Sequence, residues 1–365
     1  MALSTPNQSN TDDCSPVSDK QTVDQWTVDS CRLNGQHETQ LSNSEAALPS
    51  HYKNCSKNPG HRKTVNAAEL TANHLPEGYK DNDFLDFVLA ASKLTVRLEV
   101  KQTSTARPAL WPDKLPEITY PFYDIRNSAI SRFGSGRVWH VLKFTSGYDD
   151  NNRMHGGKFK CCRCRKCETL DNPSKVWWEV TVSTATHVTF DEFEARHTYL
   201  RLFYSHPDSP LVTLDCVSLR TANIADDRSH LTCVTCDPTL GEKLVHLVEE
   251  YESLWRVVHE KFNGYLARDK IAFIVSHPHG CHAHVSFGQC QSKSQVGDDV
   301  FNHFLTYTVS TCPGSSGASL HVVGSTVGWF SIVQHVHSGS VRSDLNFSSV
   351  GYSKDTDEIP STGNL

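Results

Sequence analysis

The first 75 or so residues are dominated by Ser, Thr, Asn, Gln and Asp. Their apolar residues are scattered without period, a pattern that predicts a disordered polar tail over 1–75. The text changes at Asp83. In DFLDFVLAASKL, Phe84, Phe87, Val88 and Ala91 fall on one face, which predicts a short helix within an N-terminal extension over 76–124. After the Pro-rich residues 107–121 come RVWHVLKF, VWWEVTVSTATHV, YLRLFY, LVTLDCVSL, HLTCVTC, KIAFIVSHP, AHVSFG, HFLTYTVST, ASLHVVG and WFSIVQHV. Each is short, rich in Val, Thr, Phe and Tyr, and bounded by Gly, Pro, Asp or Asn, so an all-β barrel or sandwich is expected. One segment interrupts them. Leu244, Leu247, Val248, Tyr251, Leu254, Trp255 and Val258 recur at spacings of three and four, predicting an amphipathic helix over 241–262. It divides a first strand-rich unit, 125–240, from a second, 263–352, with a flexible tail over 353–365.

Composition narrows the possibilities. Hydrophobic residues make up 38% of the 365, low for a chain that is globular throughout. The formal net charge of −6 offers no basic excess for nucleic acid. The N-terminus, MALSTPNQSNTDD, lacks a basic stretch followed by an apolar one, and no run of about 18 apolar residues occurs, so neither a secretory signal nor a membrane span is expected. The 13 cysteines are odd in number. With no signal sequence, reduced thiols in an intracellular, cytoplasmic protein are the expectation.

Three local texts carry candidate chemistry: STATHV at 183–188, ADDRSHLTCV at 225–234 and TCPGSSGAS at 311–319. A Gly two before and one after Ser316 make a tight turn in which backbone N–H groups can converge beside a hydroxyl. Acyl transfer needs a nucleophile and an oxyanion hole on one carbonyl, here Ser316 with the N–H groups of Gly314 and Ser316. A Ser hydroxyl needs a base, and the base an orienting carboxylate. His187 ends a strand, and Asp227 opens another 40 residues later and 89 before Ser316. Asp226 and Asp215 are alternatives for the carboxylate.

Thr184-Ala185-Thr186-His187 resembles the box around the catalytic histidine of chymotrypsin-like serine proteases, and Gly314-Ser315-Ser316-Gly317-Ala318 resembles their serine box. Arg132-Phe133-Gly134-Ser135-Gly136-Arg137-Val138 is similar to the early strand entry of intracellular and bacterial members. Ser276-His277-Pro278-His279-Gly280 is similar to the turn that opens their second barrel. The resemblance spans about 125–350. It implies two antiparallel six-stranded β-barrels, joined by the 241–262 helix, with His187 and Asp227 on the first and Ser316 on the second. It implies a serine endopeptidase acting on proteins or peptides, with no cofactor and no metal. Ser315 stands where a zymogen switch would need an Asp, and no activation terminus is visible. The alternative is a protease fold that only binds peptides.

The resemblance also implies a specificity pocket built from Thr311 and the strand His337-Ser338-Gly339, with Thr311, His337 and Gly339 as substrate-binding residues. A Thr and a His in those places resemble picornavirus-type processing proteases, which implies Gln or Glu before the cut bond. His335 is the nearby alternative to His337. No Asp precedes Ser316 there, so Lys or Arg preference is not expected.

Other clusters have plainer readings. Cys164-x-x-Cys167, within Cys161, Cys162, Cys164 and Cys167, is a zinc half-site that Cys233-x-x-Cys236 could complete, or an exposed basic loop. His277, His279, His282 and His284 are expected to belong to the barrel turn and not to a metal. Cys14, Cys31, Cys55 and His61 lack zinc-like pairing. Trp177, Trp178 and Trp255 read as core.

Overall fold

The structure, a computed structural model, describes residues 31, 35–111, 118–154, 159–263, 270–325 and 334–352. The strands are β1 (Gln36–His37), β2 (Gln40–Ser42), β3 (Thr64–Asn66), β4 (Thr95–Val100), β5 (Ser131–Thr145), β6 (Tyr148–Asp149), β7 (Val176–Thr184), β8 (Thr198–Leu202) and β9 (Val212–Asn223). They continue as β10 (Arg228–Thr235), β11 (Ile271–Ser276), β12 (His284–Gln295), β13 (Asn302–Tyr307), β14 (Leu320–Val322), β15 (His337–Arg342), β16 (Leu345–Ser348) and β17 (Gly351–Tyr352).

These strands make the two expected barrels. In the first, the order β5-β4-β8-β9-β10-β7 returns from β7 to β5, closing a six-stranded antiparallel ring. In the second, β15-β16-β13-β12-β11-β14 is drawn shut where Ser319 bridges Val336 and His337 N–H donates to the Ala318 carbonyl. Closure removes exposed edges, which suits strands this short.

Two helices pack together between the barrels. α1 (Asn82–Leu94) is capped by Asp81, whose carboxylate accepts from Phe84 N–H, and it buries Phe84, Phe87, Val88 and Ala91 as the pattern required. α2 (Pro238–Phe262) starts where Asp237 accepts from Thr239 and Leu240 N–H, with Pro238 in the first turn. It buries Leu244, Leu247, Val248, Tyr251 and Val258. Trp177 stacks on Phe144 and Trp178 is buried beneath Gly241, so both are core.

The expected disordered tail over 1–75 is corrected where the chain is described. Residues 35–75 form β1, β2, β3 and several helical turns, and join both barrels. β1 pairs with β15, β2 with β5 and β3 with β12. Local composition misled because these strands take their partners from segments far away in the sequence, from β5 to β15. Residues 1–30 and 32–34 lie outside the described residues, as do 353–365 and 326–333, the latter covering most of the WFSIVQHV strand. The 76–124 extension is also no appendage, because β4 sits between β5 and β8 in the first barrel with every residue buried.

The twelve described cysteines are all free thiols. No helix among the described residues is long and apolar enough to cross a membrane.

Candidate functional site

His187 sits just beyond the end of β7, at the cleft between the barrels. Its ring is held from behind, with Nδ1 2.8 Å from Asp227 Oδ2 and 3.0 Å from Oδ1. Its backbone N–H also donates to Asp227 Oδ1 at 3.0 Å. Asp227 lies in the turn before β10 with φ +55°, in the left-handed region that Asp tolerates better than most residues. Ser338 Oγ donates to Asp227 Oδ2 at 2.6 Å. Burial would raise this carboxyl's pKa, but the His187 ring and the Ser338 hydroxyl hold it well below the usual carboxylate range. Asp226 turns away to Asn223 and Arg228, and Asp215 accepts from Arg165 N–H, so neither faces His187.

Ser316 lies on the turn before β14. Gly314 and Gly317 have φ of +97° and +86°, and a Cβ on Gly314 would come within 2.5 Å of the His277 carbonyl. Only glycine fits there, and the turn it permits aims two amides at one point. Gly314 N–H and Ser316 N–H donate to the same carbonyl oxygen, that of Glu38, at 2.7 and 3.1 Å. Ser135 of β5 ties this turn to the first barrel. Its N–H donates to the Ser316 carbonyl at 2.8 Å and its hydroxyl to the Gly314 carbonyl at 2.8 Å. Ser316 Oγ itself donates to the Ser338 carbonyl at 3.3 Å, and His187 Nε2 has no hydrogen-bond partner among the described residues. The His187–Asp227 pair and the two amide donors are therefore assembled, while Ser316 Oγ makes no hydrogen bond to His187 in this conformation.

His337 is fully buried at the start of β15. Its Nε2–H donates to Glu38 Oε2 at 2.7 Å, and Nδ1 faces the Tyr307 hydroxyl at 2.6 Å. Thr311 does not reach Glu38 directly. Its hydroxyl donates to Asn346 and accepts from Lys57 Nζ, which also ion-pairs with Glu38. Gly339 lies opposite His37 in the β1–β15 pairing, where a Cβ would press to 2.3 Å on the Gln36 carbonyl. His335 is turned to the His303 carbonyl, away from Glu38.

Lys57 and Glu38 were missed in the sequence because both fall within the supposed tail. Also missed was a buried support behind His187. Arg107 donates to the His187 carbonyl, and Arg107 and Arg132 both pair with Glu194, all three side chains being 0% exposed. Removing Glu194 would strand two buried guanidinium groups. Glu194→Ala is therefore expected to cost about 3–5 kcal/mol of stability. Denaturant midpoints at unchanged slope would measure it, and a loss under about 1 kcal/mol would contradict the role.

The cysteine cluster comes together differently from expectation. Ligand atoms of Cys162, Cys164, Cys167 and Cys236 lie within 4.8 Å of one another. Cys164 and Cys167 are 3.7 and 3.6 Å from Cys236, spacings that suit a tetrahedral Zn²⁺. Cys233 is not part of the set, because it faces Cys216 across β9 and β10 at 3.2 Å. Strand residues an odd number of positions apart point to opposite sides, and Cys236, three beyond Cys233, lies just past the end of β10. His284 is held by Thr64, Tyr52 and His282.

The architecture is the chymotrypsin-like, two-barrel fold. No protein-family model matches the chain, and no curated protein matches it. Among solved structures, it is similar to a thermostable serine protease from an extremophilic microorganism, at 12% identity and a TM-score of 0.36, over 72% of this chain and 93% of that one. It is also similar to the HtrA-type protease AlgW with a tripeptide, at 12% identity and a TM-score of 0.36, over 73% of this chain and 59% of that one. A third is a protease from M. tuberculosis in its active form, at 10% identity and a TM-score of 0.34, over 74% of this chain and 82% of that one.

Proposed function

We propose that this chain is a serine endopeptidase that cuts after Glu or Gln. Ser316 is the nucleophile, His187 the general base and then acid, and Asp227 the group that fixes the imidazole tautomer. Gly314 and Ser316 N–H groups stabilise the oxyanion. The observation that carries the reading is the convergence of those two amides on one carbonyl oxygen beside a buried His187–Asp227 pair. Thr311, His337 and Gly339 form the binding side. His337 donates to the substrate carboxylate or amide, Thr311 positions Lys57, and Gly339 lets a peptide backbone lie along β15.

A second reading, a protease fold that only binds peptides, is favoured by one observation: Ser316 Oγ donates to Ser338 and not to His187. A fluorophosphonate probe separates the two, since it labels Ser316 only where the base activates the hydroxyl. Labelling of the wild-type protein, lost in Ser316→Ala, is expected; no labelling together with no hydrolysis of a Glu-containing peptide would favour the binding module.

Specificity follows from buried donors that a wrong side chain leaves unpaired. A peptide-library profile should be enriched in Glu and Gln before the cut, and His337→Ala should abolish that enrichment. A profile led by Phe, Leu or small residues would end the assignment.

A further inference from the structure

We propose that the enzyme's first substrate is its own chain, cut between Glu38 and Thr39. This rests on the endopeptidase reading. The segment 36–42 runs through the cleft as an extended peptide. Before the bond, β1 pairs antiparallel with β15, Gln36 opposite Ser340 and His37 opposite Gly339. After it, β2 pairs antiparallel with β5, Gln40 opposite Phe133. One strand is thus added to each barrel, the backbone pairing by which extended peptides are commonly bound. Between the two strands, the Glu38 carbonyl occupies the pair of amide donors and its carboxylate fills the pocket of His337 and Lys57. Burial opposes ionisation of Glu38, but the His337 and Lys57 contacts bring its pKa down to about 2, so it is bound as carboxylate. The His37 ring lies 4.2 Å from that of His187. Upstream, Cys31 is packed with Phe304 and Phe347, so the segment is anchored on both sides of the bond.

Ser316 Oγ adds to the Glu38 carbonyl carbon as His187 Nε2 takes its proton. The Glu38–Thr39 C–N bond breaks as His187 returns that proton to the Thr39 amine. Water, deprotonated by His187, then releases Glu38 as a carboxylate and restores Ser316. Because the bond is already held in the site, cutting is intramolecular and its rate independent of protein concentration.

Intact-mass measurement and N-terminal sequencing of the full chain during incubation at neutral pH test this. Wild type should yield a new chain beginning at Thr39, at the same rate on tenfold dilution. Ser316→Ala and Glu38→Lys should stay whole, whereas Glu38→Gln should be cut. The same preparations are assayed on a separate Glu-containing peptide. A wild-type chain that hydrolyses the peptide yet stays whole, or is cut elsewhere, overturns self-cleavage and leaves the endopeptidase standing. One that does neither overturns both. Cleavage after Glu38 in Ser316→Ala also overturns it.

From a separate observation, we infer that Cys55, His61, His279 and Cys312 bind Zn²⁺ and pin this N-terminal segment to the second barrel. All four are buried, with ligand atoms within 4.8 Å of one another. Cys55 Sγ and Cys312 Sγ are 3.7 Å apart, and Cys312 Sγ is 3.6 Å from His61 Nδ1. Tetrahedral zinc with its usual bond lengths sets such atoms about 3.5–3.8 Å apart. The second nitrogens are fixed as zinc-binding histidines require. His61 Nε2–H donates to the Tyr52 carbonyl at 2.9 Å and His279 Nδ1–H to Gln40 Oε1 at 2.8 Å. That leaves His279 Nε2 buried with no hydrogen-bond partner among the described residues. Asn58 donates through its backbone N–H to Cys55 Sγ and through its side chain to Cys312 Sγ, bonds that favour thiolates.

Metal analysis of the purified chain and the visible spectrum of its Co²⁺ form test the site. Cys55→Ser with His61→Ala should lose one equivalent of zinc relative to wild type, and His61→Cys should keep it with a shifted Co²⁺ spectrum. Unchanged metal content in the double variant, or no zinc in wild type refolded with zinc, would overturn the inference.

Discussion

Ser316→Ala should reduce hydrolysis of a Glu-containing peptide by on the order of 10⁴- to 10⁶-fold. In the proposed mechanism the alanine removes the oxygen that forms the acyl-enzyme, while the backbone amides of Gly314 and residue 316 remain to polarise a bound carbonyl. His187→Ala should cost about as much, because without a base the hydroxyl is a poor nucleophile. The double variant should be little worse than either single one, since the two act in one step. Steady-state rates of the three variants check this. Undiminished turnover in Ser316→Ala would sink the assignment, and additive losses would mean that His187 acts on something other than Ser316.

Asp227→Asn should lower the rate on the order of 10⁴-fold with little change in fold. The carboxylate now accepts from His187 Nδ1–H, from His187 backbone N–H and from Ser338 Oγ. An amide in that place can present its NH₂ to Nδ1, which leaves the proton on Nε2, where it cannot act as base. Asp226→Asn should be mild, since the Asp226 carboxylate meets Asn223 and Arg228 and not His187. The reverse order of effects would transfer the role. The sign of the pH dependence follows from the same contacts. The Asp227 pKa is lowered in the folded state. Its stabilising contribution is thus full above the unfolded carboxylate value and is lost as pH falls towards the folded one. In Asp227→Asn, that part of the acid destabilisation should vanish.

Strand alternation, the 3.6-residue period of α2 and the Gly-bounded Ser316 turn are local properties. Each is written in neighbouring residues, so the β-rich halves, the helix between them and the His187, Asp227 and Ser316 texts were legible in the chain. Asp227 is preferred over Asp226 in the sequence because it directly precedes a strand, but which of the two faces His187 was not legible there, because adjacent residues differ only in the direction their side chains take. The left-handed φ of Asp227 sets that direction. Nor was the fourth thiol legible, since Cys233 and Cys236 are equivalent as text and part only where β10 ends. The largest correction was residues 35–75. By composition they are a polar tail, and by themselves they bury too little apolar surface to fold. Their order comes from partners distant in sequence. β15 and β5 take their backbone, His337 and Lys57 take Glu38, and His279 and Cys312 meet His61 and Cys55. The sequence by itself determined which residues could do the chemistry. Only the closing of two barrels around a cleft decided which peptide lies in it, because backbone pairing and buried charge are satisfied by proximity in space and leave no period in the chain.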